Sequence, residues 1–427
     1  MTILVFMSSL CGAMALGMPI AFALMVCGLA MMLFMGNFDS QIVAQNVING
    51  ADSFVLMAVP FFMLAGEFMN AGGLSKRIVT MADALVGHVK GGLGYVAIFA
   101  AVIMASLSGS AVADTAALAG LLIPMMRKAN YDIPRACGLI AAGGIIAPVI
   151  PPSIGFIVFG VAAQVSITKL FLAGIVPGML MGVALCVTWW FVTRKDDASA
   201  SRRANSKEVL IAFRDGFWAL LLPVIIIGGL KFGVFTPTEA AVVVAAYALF
   251  VGKVIYRELT VPVIYRCLVN AAKMTSVVMF LVAAALVSAW LITVADLPQQ
   301  VAALAQPFID SPRLLMFVMM VIVVLVGTAL DFTPTVLILT PVLMPLVKQA
   351  GIDPVYFGVL FILNNAIGLL TPPVGTVLNV VCGVAKVPMD SVIKGVWPFL
   401  VSQLVLLGLL IIFPQIVTVP MQWMVGR

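Results

Sequence analysis

Four short stretches concentrate the Gly, Pro and polar residues of an otherwise apolar chain. Two lie in the first half: Ser106-Leu107-Ser108-Gly109-Ser110, followed by Asp114, and Gly143-Gly144-Ile145-Ile146-Ala147-Pro148-Val149-Ile150-Pro151-Pro152-Ser153. Two lie in the second: Gly327-Thr328-Ala329-Leu330-Asp331 with Thr333-Pro334, and Asn364-Asn365-Ala366-Ile367-Gly368-Leu369-Leu370-Thr371-Pro372-Pro373-Val374-Gly375-Thr376. Paired prolines remove backbone donors and clash with the preceding turn, so a helix running into either pair breaks there. At membrane depth such a break is tolerated only where its amides and carbonyls are buried in protein or line a polar cavity, which makes the backbone a ligand set. Carbonyls of an unwound stretch, with Ser, Thr and Asn oxygens, form a neutral cage for a hard monovalent cation. The N-terminus of the half-helix beyond the break points a positive dipole end at an anion. Sodium plus an organic anion fits that chemistry.

Ser153 directly follows Pro151-Pro152 and starts a half-helix, which makes it the first candidate for substrate contact. Ser108, Ser110, Asn365 and Thr376 are the other substrate candidates. For sodium the candidates in the first half are Ser106, Ser108, Gly109, Asp114, Gly144 and Ala147. In the second half they are Gly327, Thr328, Asp331, Asn364, Leu369 and Thr371. A carboxylate inside a membrane is costly, so Asp114 and Asp331 either cap or brace a loop, or ligate an ion or couple a proton. Asn364 and Asn365 either hydrogen-bond between helices or ligate, and their closeness to the break favours ligation. Gly, Ser and Pro also serve close packing and kinks in membrane bundles. What favours a binding site is their recurrence in two matched pairs.

Composition sets the elements that must position these stretches. With 63% hydrophobic and 9% charged residues over 427, and a mean hydropathy of +1.21, the chain cannot solvate an ordinary soluble surface. Charge-free runs such as Ala136–Thr168, Pro354–Ala385 and Gly395–Gly426 place most of the mass in a bilayer. The expectation is an all-α polytopic membrane protein with roughly ten to thirteen spans and membrane lipid as its surroundings. Strand periodicity is absent. Leu4–Phe34 reads as a first helix broken or bent near Pro19, and Gly91–Ser106 and Leu314–Val326 read as spans. Ser75–His88, Val263–Lys273 and Gln299–Phe308 read as amphipathic helices near the interface that could brace a moving part. Arg194 to Asp215 is the one strongly polar stretch and should be a cytoplasmic loop.

Residues on either side of that loop recur at an offset of about 220. Gly109-Ser110 and Asp114 align with Gly327-Thr328 and Asp331, Ile123-Pro124 with Thr340-Pro341, and Pro151-Pro152 with Pro372-Pro373. Gly174 and Pro177 align with Gly395 and Pro398. The halves could be parallel or inverted; a secondary transporter would place its site between them.

Other function classes fit poorly. Lys and Arg sit in breaks between apolar runs and form no stripe interleaved with aromatics, so the net charge of +6 speaks for loop placement and not for nucleic acid. Six cysteines, Cys11, Cys27, Cys137, Cys186, Cys267 and Cys382, show no CxxC spacing and read as small packing residues. His88 is the sole histidine, which leaves little for metal or Ser-His chemistry. There is no HExxH and no GxxxxGK[ST], so neither a zinc hydrolase nor an ATP-driven pump is indicated. Trp189-Trp190 reads as an interfacial anchor.

The motifs Ser106-Leu107-Ser108-Gly109-Ser110-Ala111-Val112-Ala113-Asp114-Thr115, Gly144 to Ser153 and Leu370-Thr371-Pro372-Pro373-Val374-Gly375 resemble those of one family. Phe61-Phe62-Met63-Leu64-Ala65-Gly66-Glu67 and Phe235-Thr236-Pro237-Thr238-Glu239-Ala240 match as well. It is the large membrane subunit of tripartite ATP-independent periplasmic (TRAP) transporters, and the resemblance covers essentially the whole chain. It implies a sodium-driven importer of an organic acid in the bacterial inner membrane, with no organic cofactor. The implied partners are a small four-helix membrane subunit and a periplasmic substrate-binding protein. It also implies inverted repeats and an elevator mechanism. The expected division is then a scaffold helix at 1–50, a first repeat at 51–193, a polar loop and connecting helices at 194–273, and a second repeat at 274–427. Re-entrant hairpins fall at 107–126 and 327–348, and broken helices at 135–163 and 355–384. Among the family's substrates, sialic acid or a related sugar acid is favoured over C4-dicarboxylates. A standalone anion transporter of related fold is the alternative.

Overall fold

The computed structural model describes residues 2–36, 38–194 and 203–426, so Lys195, Asp196, Asp197 and Arg202 of the polar stretch lie outside the described residues. The described residues form helices and no strand. The chain opens with α1 (Thr2–Ala15), α2 (Ile20–Phe34), α3 (Ser40–Ala51), a 3-10 turn (Phe54–Met57) and α4 (Ala58–Ala71). Then follow α5 (Leu74–Val86), α6 (Gly92–Ser108), α7 (Ala111–Lys128), α8 (Ile133–Gly144), α9 (Ile154–Ala163) and α10 (Ile167–Thr193). Three connecting helices come next: α11 (Ser206–Lys231), α12 (Pro237–Phe250), extended by a π turn (Val251–Ile255), and α13 (Val261–Val294). The order of α5–α10 then recurs as α14 (Leu297–Ile309), α15 (Pro312–Gly327), α16 (Phe332–Gln349), α17 (Pro354–Gly368), α18 (Thr376–Ala385) and α19 (Met389–Ile412), before a short α20 (Gln415–Val425).

Among the described residues seven helices are long and apolar enough to cross a bilayer. The higher number expected from hydropathy counted α6, α15 and the half-helices, which are apolar but no longer than 17 residues, whereas α16, with 18, is among the seven. The first helix, expected to be broken or bent near Pro19, is broken there into two helices folded on each other, because Gly17 takes a positive φ of 80° ahead of Pro19 and lets the chain reverse. Val263–Lys273 is no separate interfacial helix. It is the polar end of the 34-residue α13, and the expected division at 273/274 falls inside that helix. The hairpins are also larger than expected: α6 with α7, and α15 with α16, are the paired arms, so the two stretches read as spans are the first arms of hairpins.

The two halves interlock: α7 packs on α18, and the corresponding α16 packs on α9; α8 packs on α19, and the corresponding α17 on α10. The α8–α19 crossing is close. A side chain at Gly138 would meet the backbone of Gly395, and one at Gly395 would meet the backbone of Pro134 and Arg135. Gly395→Val should therefore cost about 1–3 kcal/mol through overpacking and lower the thermal unfolding midpoint of the purified protein. Gly408→Val, on the same helix with open space around it, should leave the midpoint unchanged.

Lys90 and Arg194 put cationic residues at the end where α6 begins and α10 finishes. Arg77 pairs with Glu258 at 2.7 Å and lies 3.7 Å from the Tyr256 ring centroid, and Lys90 donates to the Arg194 carbonyl at 3.1 Å. Arg127 donates to the Ala385 carbonyl at 2.9 Å, closing the end of α18. Trp189 is buried, correcting its expected role as an anchor: it donates to the Gly91 carbonyl at 2.8 Å and stacks on Tyr131. Trp190 is exposed under Arg194. Cys11 is exposed too, against the expectation of a packing residue.

Candidate ion and substrate site

The first hairpin turns at Gly109, whose φ of 63° is a left-handed conformation that suits glycine, and whose missing side chain lets the tip touch the Pro152 carbonyl. Ser110 caps α7 by accepting from the Ala113 amide at 3.4 Å. Ser108 donates to Asp114 Oδ1 at 2.5 Å and accepts from the Ser110 amide at 3.2 Å. Asp114 is fully buried in the first turn of α7, where the helix dipole favours a carboxylate. Its other oxygen, Oδ2, and the adjoining Thr115 Oγ1 are buried without a hydrogen-bond partner. Gly144, the last residue of α8, presses on the Thr115 side chain and the Ala111 carbonyl. Thr115 was missed in the sequence; its signal was the position directly after Asp114.

Three candidates of this half take other roles. Ser153 is completely buried, donates to the Pro148 carbonyl and accepts from the Phe156 amide at 3.1 Å, so its hydroxyl is a helix cap and not a free substrate contact. Ser106 donates to the Ile103 carbonyl at 2.6 Å within α6 and lines an apolar crevice. The break itself is sealed: Ile145 to Ser153 are all buried. It is drawn tight by amide bonds from Ile146 to Gly143, Ala147 to Gly144 and Val149 to Ile146. Ala147 thus lies inside a tightened turn and not in an open one.

In the second half, the Asn364 amide donates to the Met320 carbonyl at 2.5 Å and the Asn365 amide to the Phe332 carbonyl at 2.8 Å. Both Oδ1 atoms remain buried and unpartnered. Interhelical bonding and a vacant acceptor therefore coexist in each residue. Asn365 Oδ1 lies beside Gly327, which packs against Gly368. Thr371 donates back to Ile367 at 2.8 Å, Thr328 back to Leu325 at 2.8 Å, and the Leu369 carbonyl accepts from the Val377 amide at 3.3 Å. These groups are at least partly occupied within the chain. Asp331 is exposed at the start of α16 and accepts from Thr376 at a long 3.5 Å. Unlike the first break, the second is open at Pro373 and Val374, and the exposed Asn379 donates to the Val374 carbonyl at 2.7 Å.

The repeat offset needs one correction. The helices α7 and α16 start at 111 and 332, which places Asp331 opposite Ser110, Thr335 opposite Asp114 and Pro345 opposite Pro124. Equating Asp114 with Asp331 was four residues, one helical turn, out of register. Pro341 and Pro345 both sit in α16, so the sequence offered two prolines for the match. Counted from the starts of α7 and α16, the buried carboxylate of the first half falls opposite a threonine. The halves meet where Gly155, at the start of α9, lies against the ring of Phe332 at the start of α16.

Described residues that are helical throughout, with several candidate spans, paired hairpins and two interrupted helices around buried, unpartnered oxygens, have the architecture of a membrane transporter. Its fold is similar to the crystal structure of the Alcanivorax borkumensis YdaH transporter, with a TM-score of 0.64 at 16% identity over 87% of each chain. Residues 7–416 match the DctM component of the tripartite ATP-independent periplasmic transporter, and the chain belongs to that family. It is 60% identical over 423 residues to the 2,3-diketo-L-gulonate TRAP transporter large permease protein YiaN of Escherichia coli, covering 99% of this chain and 100% of that one. It is 40% identical over 404 residues to the sialic acid TRAP transporter large permease protein SiaM of Vibrio cholerae, covering 95% of each. These relatives are permeases, and the chain is a transport protein and not an enzyme.

Proposed function

We propose that this chain is the sodium-coupled membrane carrier for a sugar-derived keto acid, receiving it from a periplasmic binding protein and working beside a small membrane subunit in the bacterial inner membrane. The observation that carries the sodium reading is the set of buried oxygens without partners: Asp114 Oδ2 and Thr115 Oγ1 at the end of α8, and Asn364 and Asn365 Oδ1 at the end of α17. Buried acceptors normally have hydrogen-bond donors, and oxygens left over at helix ends suit a hard cation. Ser108, Asp114 and Thr115 would hold one ion, and Asn364 and Asn365, beside Gly327, another. The substrate would sit at the open break, near Thr376 and Asn379. An anion beside Asp331 then relies on bound sodium to offset the carboxylate. The expectation of sialic acid gives way to an acid like diketogulonate, because the relative named for the latter is 60% identical and the one named for sialic acid 40%.

Interlocked halves support inverted repeats, in which α6–α10 and α15–α19 travel together against α1–α4 and α11–α13, with α5 and α14 as arms. Cationic loops support a cytoplasmic position for the Lys90 and Arg194 end. With two sodium ions per monoanion, a tenfold gradient supplies about 1.4 kcal/mol per ion, and one net charge across about 100 mV adds about 2.3 kcal/mol. The sum of about 5 kcal/mol supports accumulation on the order of several thousandfold.

The test is uptake of labelled 2,3-diketo-L-gulonate into liposomes holding the chain and its small subunit, with binding protein outside and an inward sodium gradient. Uptake should require both sodium and the binding protein, and Asn364→Ala or Asn365→Ala should each lower it roughly tenfold, the equivalent of about 1.4 kcal/mol. Uptake that persists without the binding protein would favour a standalone carrier, and uptake indifferent to sodium would remove the coupling ion.

A further inference from the structure

A cavity of about 660 Å³ opens between α6, α10 and α11, away from the proposed ion and substrate positions. It runs from Val86 and Val89 at the Lys90 and Arg194 end to Ser106 and Ile150 near mid-membrane. Between Tyr95 and Ser106 that is about 16 Å along α6, roughly half of a hydrocarbon core about 30 Å thick. Its walls are aliphatic and aromatic, and the Ser106 hydroxyl is spent on the Ile103 carbonyl. Water has no partners there, and an empty space of this size would leave the wall atoms without contacts.

We infer that this crevice is a binding site for one acyl chain of an anionic phospholipid from the leaflet at the Lys90 and Arg194 end. Its length of about 16 Å and its apolar walls match an extended stretch of a lipid tail. The mouth has a charge for the headgroup: Val89 lies there next to Lys90, whose ammonium donates to the Arg194 carbonyl. The crevice opens beside α11, whose apolar stretch is only 22% buried, with Val224 64% accessible, so acyl chains of the bilayer reach it directly. On the proposed division of moving and fixed parts the tail would lie between α10 and α11, but its binding needs no transport to be seen.

The experiment uses the chain with its small subunit in phosphatidylcholine vesicles doped with a probe carrying a diazirine near the end of one acyl chain. After irradiation, adducts should map to Ile98–Ser106 and Ile175–Cys186, with a phosphatidylglycerol probe labelling about fivefold more than a phosphatidylcholine probe, the size expected for one well-placed cation. Val183→Trp and, independently, Ile103→Trp should each lower labelling of these segments at least fivefold by filling the space. Adducts confined to outward positions such as Val187, Phe191 and Val224, or labelling unchanged in both filled variants, would overturn the site. Equal labelling by the two headgroups would overturn the anionic assignment, and labelling by a diazirine fatty acid alone would overturn the phospholipid one. Failure of sodium-driven uptake would leave these outcomes as they are, so the two readings fail separately.

Discussion

Asp114→Asn is expected to lower sodium-driven uptake at least a hundredfold while leaving the chain folded. The amide oxygen can keep the bond that Ser108 donates to Oδ1, so the hairpin tip retains its internal contact. The unpartnered Oδ2 becomes an NH2 whose hydrogens point where a cation would sit, and the negative charge is lost. Two unit charges about 4 Å apart at an effective dielectric near 20 attract by about 4 kcal/mol, and losing two-thirds of that is about a hundredfold in affinity. Uptake measured against sodium concentration checks this. A variant with the sodium dependence of the parent would show that Asp114 only braces the hairpin.

Thr115→Val should move stability and activity in opposite directions. Valine has nearly the shape of threonine without the hydroxyl, and Thr115 Oγ1 is buried with no hydrogen-bond partner. An unsatisfied buried polar group costs about 1–3 kcal/mol, so in sodium-free buffer the variant should unfold at a higher temperature than the parent. If that hydroxyl is an ion ligand, the same variant should need more than tenfold more sodium for half-maximal uptake, and sodium should stabilise it less than it stabilises the parent. A variant less stable without sodium, or one with unchanged sodium dependence, would show that the hydroxyl has another partner.

Much of this arrangement was legible because proline and glycine punctuate it. Pro151-Pro152 and Pro372-Pro373 marked both breaks within a few residues, and the mixed composition of Leu74–Val86 and Leu297–Ile309 marked two amphipathic helices. What was not legible depends on contacts distant in sequence. Arg266, Asn270 and Lys273 made the start of α13 look like an interfacial helix. The chain instead continues there because Cys267 packs inward and Asn270 donates to Glu67 of α4 at 3.3 Å. Trp189 and Trp190 look alike in sequence, yet neighbours on a helix face different ways, and only Trp189 meets Tyr131 and Phe399. Ser153 had the position of an anion contact, but the Pro148 carbonyl that takes its hydroxyl is brought close only by the folded break. Gln403, a lone amide in an apolar helix, was passed over; it donates to the Met181 carbonyl at 3.2 Å and ties α19 to α10.

The contrast between the two breaks has a kinetic meaning. Residues Ile145 to Ser153 are closed off on every side, with the tip of the first hairpin seated on the Pro152 carbonyl, whereas Pro373, Val374 and Asn379 face the outside. An occupant behind the first break would leave only when that tip lifts, so its exit would carry the cost of opening the hairpin in addition to its own affinity. Whatever occupies the second break exchanges by diffusion. Two sites built from matching elements would thus run on separate clocks, the slow one setting the order in which the carrier fills and empties.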